Sequence, residues 1–98
     1  MRVRVVLTAA SAVATRKHSP EHQALGRAVL WSRARRGLSQ EELGHETRLH
    51  RNYVGAIERG EINPTFRVLL KLSRGLQMPL SELIIEAEAI RREYFEGE

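Results

Sequence analysis

Between Gln40 and Arg59 the chain reads QEELGHETRLHRNYVGAIER, two helical stretches of about eight residues with a three-residue turn between them. Ser39 precedes them, and Ser39-Gln40-Glu41-Glu42 has the form of a capping box. The serine hydroxyl takes the Glu42 amide while the Glu42 carboxylate reaches back. Two helices joined so tightly can cross near a right angle only where a side chain at the crossing is small. Gly44, on the inward side of the first helix, meets that need. Leu43, Thr47, Leu49, Val54 and Ile57 then make the core between the two, and Gly60 stops the second helix. Its other residues, Arg51, Asn52, Tyr53, Gly55, Ala56 and Arg59, are polar or small. A short helix showing Arg and Asn at its first turn is shaped for a DNA major groove, where N-terminal side chains reach base edges.

The flanking sequence continues in the same style. Ser19-Pro20 places a capping hydroxyl before a proline at the first helical position. Leu25, Ala28, Val29 and Ser32 share a face of the helix that follows, and Gly37 ends it near Arg36. Pro64-Thr65 opens a fourth helix running to about Leu76. Its inward stripe is either Phe66, Leu69, Leu70 and Leu72 or Val68, Leu72 and Leu76. Pro79 starts a fifth, with Leu80, Leu83, Ile84, Ala87, Ile90 and Tyr94 on its apolar face. The expectation is all-α: a compact five-helix bundle over residues 19–98, its last helix (79–96) aiding dimerisation, preceded by a flexible arm at 1–18.

Ninety-eight residues without cysteine exclude a disulfide framework, a thiolate nucleophile and a cysteine-ligated metal. His18, His22, His45 and His50 show no metal-ligand spacing, and no serine–histidine–acid grouping or phosphate loop is present. No enzyme, cofactor or metal site is therefore expected. Net charge is +4 with a pI near 10.3, in keeping with a polyanionic partner. The charge is uneven: residues 1–36 set eight basic side chains against Glu21 alone, while residues 80–98 set Arg91 and Arg92 against six glutamates. Residues 1–18 imitate a secretory leader, with a basic start and an Ala-x-Ala at Ala12–Ala14. The apolar stretch between is weak, holding a single leucine, which favours the arm; a short strand over RVRVVL is the other alternative. No run of eighteen apolar residues exists, so no membrane span is expected and the cytoplasm is the expected location.

GLSQEEL at Gly37–Leu43, IERG at Ile57–Gly60 and NPT at Asn63–Thr65 closely resemble the lambda-repressor-like, Xre-type helix-turn-helix family, over roughly Leu25 to Leu83. The stretch from Leu49 to Arg59 is especially similar to restriction–modification controller proteins and related phage regulators. The resemblance implies a dimeric transcription regulator reading a two-fold-related operator in double-stranded DNA. It places Gln40 on a phosphate and Arg51, Asn52 and Tyr53 at the first recognition positions. Gly55 and Ala56 fall at later groove-facing positions, and Arg59 at one that contacts the backbone. Arg33 and Glu58 match a pair joining the first and third helices.

Two residues depart from the family pattern. Arg48 stands where glycine usually provides a left-handed turn, which costs another residue about 1 kcal/mol. Ser32 stands in a leucine position. Trp31 reads as a packing residue, Arg35 and Arg36 as a solvated helix end, and His45 and His50 as surface residues, with His50 in the N-cap place. The acidic last helix leaves a second possibility, an antitoxin or adaptor acting mainly through protein contacts. No small-molecule ligand is expected, because no ligand-binding segment accompanies the helices.

Overall fold

A computed structural model describes residues 19–95. The expected arm at 1–18 and the last residues, 96–98, lie outside the described residues. Five helices follow one another: α1 (Pro20–Arg35), α2 (Gln40–Thr47), α3 (Arg51–Glu58), α4 (Phe66–Gly75) and α5 (Leu80–Tyr94). No strand occurs among the described residues.

Caps fix the helix boundaries. Ser19 accepts the His22 N–H at the start of α1. Ser39 accepts the Glu42 N–H at 2.9 Å while its own N–H donates to Glu42 Oε1 at 2.8 Å, so both halves of the capping box form. Gly37 and Gly60 take φ of 72° and 74° just past the ends of α1 and α3. Arg48 adopts the left-handed geometry itself, at φ 61° and ψ 35°. The turn is left-handed there, with an arginine rather than a glycine bearing the strain.

α1 packs along α5 and across α3; α2 lies against α3 and α4, and α4 meets α5. The core is built from Ala24, Ala28, Val29, Leu43, Val54, Ile57, Leu72, Leu76, Leu83, Ala87 and Ile90. Gly44 sits where expected: a Cβ there would collide with the Leu49 carbonyl oxygen. Gly26, which no motif singled out, plays the same part between α1 and α3, its missing side chain leaving room for the Ile57 and Glu58 carbonyls. Ser32 is buried and its hydroxyl accepts from Arg35, so the leucine position is filled by a bonded polar group.

The structure favours the second stripe on α4 but keeps part of the first. Leu72 and Leu76 are buried and Val68 packs on the core, as does Leu69, while Phe66 is 68% exposed. Tyr94 also stays largely exposed, although its ring meets Trp31 edge-on at 5.9 Å. Arg35 and Arg36 do more than solvate a helix end. Arg35 pairs with Glu86 on α5 at 2.8 Å, and Arg36 donates to the Gly75 carbonyl at 2.6 Å. That second bond satisfies a carbonyl the end of α4 would otherwise leave without a helical partner.

Candidate nucleic-acid interface

α2 and α3 present one polar surface, assembled from a buried carboxylate outward. Glu58, in the last turn of α3, has a side chain only 1% exposed. It accepts from Arg33 Nε at 2.6 Å and Arg33 NH2 at 3.0 Å, while Arg33 NH1 donates to the Leu38 carbonyl at 2.7 Å. Donating hydrogen bonds to the Glu58 carboxylate raises the Arg33 guanidinium pKa and outweighs burial, which acts the other way. Gln40, the first residue of α2, reaches across to donate Nε2 to Glu58 Oε1 at 2.8 Å. An ionised carboxylate only accepts, so the amide must turn its NH2 inward, leaving the second N–H and Oε1 for other partners. One carboxylate thus ties α1, the start of α2 and the end of α3 together.

The expected recognition positions divide by exposure. Arg51 opens α3 with its side chain 60% exposed, and Asn52 beside it is exposed as well. His50 caps the helix, its Nδ1 accepting the Asn52 N–H at 3.0 Å. A cation at a helix N-terminus opposes the macrodipole. Glu41 Oε1 lies 3.7 Å from Arg51 NH1, but both partners are exposed, and such a pair contributes only about 0–1 kcal/mol. It therefore does not by itself account for an arginine there. Tyr53 is half-buried against the core and Ala56 half-buried.

Gly55 differs from expectation. It is buried, because Gln40 and Arg59 lie over it: a Cβ would sit 3.0 Å from Arg59 NH1 and 3.3 Å from Gln40 Oε1. Instead of facing outward it forms the floor on which these two side chains converge. Arg59 follows α3 and grips Glu61 through two bonds, Nε to Oε2 at 2.8 Å and NH2 to Oε1 at 3.1 Å. Those bonds raise the Arg59 pKa further. The structure therefore gathers Gln40, Gly55 and Arg59 at one place and sets Arg51 and Asn52 at the other end of α3. The sequence pointed to neither Glu41 nor Glu61 as the partner of an arginine on this surface. The only signal for Glu61 was an acid two residues past Arg59 with a glycine between to fold it back.

Comparison with known proteins bears on this geometry. The helix-turn-helix family model matches residues 31–83, more than half of the chain. Control protein C.SmaI of Serratia marcescens is 40% identical over 47 residues, 48% of this chain and 56% of that protein. The HTH-type transcriptional regulator SlrR of Bacillus subtilis (strain 168) is 35% identical over 74 residues, 74% of this chain and 48% of that one. The chain spans about half the length of these two relatives. The crystal structure of the restriction-modification controller protein C.AhdI from Aeromonas hydrophila superposes with a TM-score of 0.65 at 35% identity, covering 66% of this chain and 98% of that one.

Proposed function

The chain belongs to the helix-turn-helix family, and from that premise we propose that it is a transcriptional regulator that binds double-stranded DNA sequence-specifically as a homodimer. α3 enters the major groove of each half of a two-fold-related operator. Arg51 and Asn52 read base edges, Ala56 and Tyr53 border the groove, and Gln40 and Arg59 hold phosphates from above Gly55. The observation that carries this is the exposed Arg51–Asn52 pair at the first turn of a helix whose other face is locked into the core. Relatives named as a control protein and an HTH-type transcriptional regulator support it. α5 aids dimerisation, and Ile85, 63% exposed on it, offers apolar surface for the purpose. The basic residues Arg2, Arg4, Arg16 and Lys17 add phosphate contacts from ahead of the described helices. A cytoplasmic location belongs to the same proposal; no described helix is long and apolar enough to cross a membrane. The adaptor alternative draws less support, since Glu86, one of the acids behind it, is engaged by Arg35 within the molecule.

The test is a titration against a duplex selected from a random pool and a scrambled duplex of equal composition, at two salt concentrations. Arg51→Ala should lose about 1–3 kcal/mol of discrimination per half-site, with little change on the scrambled duplex. Gln40→Ala should weaken both duplexes alike and scarcely alter the salt dependence, because phosphates carry no sequence information and the amide no charge. Equal losses on both duplexes for Arg51→Ala remove it from base reading. A wild-type protein that stays monomeric by sedimentation, free and on DNA, refutes the dimer.

A further inference from the structure

The surface proposed to meet DNA is electrically balanced, which is unusual for a face that must approach phosphates. From residue 19 onward the sequence carries twelve Lys and Arg against twelve Glu, so residues 19–98 as a whole have no net positive charge to draw a duplex in. The balance is also local. Arg51 lies 3.7 Å from Glu41, and Arg59 is gripped by Glu61 at 2.8 and 3.1 Å. Glu61 is fixed in place by the backbone: its N–H donates to the Ala56 carbonyl at 2.9 Å, and Gly60 N–H to the Ile57 carbonyl at 3.0 Å. Its carboxylate thus stands just past the C-terminus of α3, at the negative end of the helix dipole, where an acid is disfavoured. It occupies the Nε and NH2 edge of Arg59 and leaves NH1 directed over Gly55 beside the Gln40 amide.

We infer that Glu61 is a specificity-determining residue that lowers affinity for duplex of any sequence by neutralising Arg59, with Glu41 acting more weakly on Arg51. The inference rests on the DNA-binding function proposed above. Non-specific binding draws essentially all of its free energy from cations that replace counterions on phosphates, so an arginine already paired to a carboxylate contributes little to it. An operator offers base edges to Arg51 and Asn52 as well, and those contacts offset the displacement of the carboxylates. A scrambled duplex offers no such return. The acids therefore subtract from both affinities but leave the operator the larger share of its own.

Glu61→Gln tests this, because it removes the charge while keeping the size of the side chain. Affinity is measured by fluorescence anisotropy for the selected duplex and the scrambled one between 50 and 200 mM salt. The scrambled duplex should bind several-fold more tightly at low salt. Its log–log salt slope should steepen by about 0.9 per subunit, or about 3-fold more affinity lost per subunit across that range. The operator should gain less, so the ratio between the two falls. Glu93→Gln, an exposed α5 acid, serves as the control for net charge and should leave the slope unchanged. Three results overturn the inference: an unchanged slope for Glu61→Gln, loss of affinity on both duplexes, or the same steepening in Glu93→Gln. A wild-type protein that binds neither duplex overturns the proposed function along with it, which separates the two failures.

Discussion

Replacing Glu58 by alanine removes the carboxylate on which three helices converge. Arg33, with a side chain only 16% exposed, would keep its charge and lose both bonds to Glu58, retaining only the bond from NH1 to the Leu38 carbonyl. Breaking a buried pair by removing one partner costs about 3–5 kcal/mol. Arg33 keeps some water access and one carbonyl, which favours the lower end, about 3 kcal/mol. A domain of this size holds roughly 5–10 kcal/mol in total, so the loss takes roughly 30–60% of it. With a urea slope of about 1 kcal/mol/M for so short a chain, the midpoint should fall by roughly 3 M. Trp31, the single tryptophan, is half-buried beside Tyr94 and reports the transition by fluorescence, with helical circular dichroism as a second probe. The double change Arg33→Met with Glu58→Leu removes both charges and should return stability to near the wild-type value. DNA affinity should stay low in that variant for every sequence, since Gln40 has lost the acceptor that orients it. A cost below 1 kcal/mol for Glu58→Ala, or a double variant no more stable than the single one, would refute the reasoning.

Two glycines in neighbouring helices should respond in opposite directions. Gly44→Ala sets a Cβ against the backbone carbonyl of Leu49 and should cost about 1–3 kcal/mol or more in thermal melts, whereas melting like the wild type would contradict the close crossing. Gly55→Ala meets only the movable ends of Arg59 and Gln40, so the gain in helix propensity should stabilise the fold by up to about 1 kcal/mol while DNA affinity drops; full affinity would show that these side chains need not rest there. Deleting residues 1–17 should leave melting nearly unchanged and lower DNA affinity modestly through the loss of Arg2, Arg4, Arg16 and Lys17, and a collapsed fold would contradict the arm.

The helices and their ends were legible in the sequence because the interactions that set them are local. Ser39 and Glu42 satisfy each other three residues apart whatever lies beyond, and Gly37 and Gly60 adopt positive φ because they lack a Cβ. Arg51 and Asn52 could be placed for the same reason, since a helix start exposes the side chains of its first turn. The Arg33–Glu58 pair was legible only through family resemblance, as 25 residues separate its members. Tertiary structure decided the rest. Two stripes on α4 fit the helical period equally, and only the position of the core leaves Phe66 outside and Leu76 inside. Arg36 finds the Gly75 carbonyl, and Arg35 finds Glu86, because α1 ends where other elements happen to pass. Gln77, like Arg48, takes a left-handed conformation that no residue preference announces, at φ 56°. Gly55 reads as one more small residue on a polar helix until Gln40 and Arg59 close over it. Periodicity and caps act within a turn or two of chain, while which side chain covers another depends on how whole helices approach, and that is settled by the packing of the entire bundle.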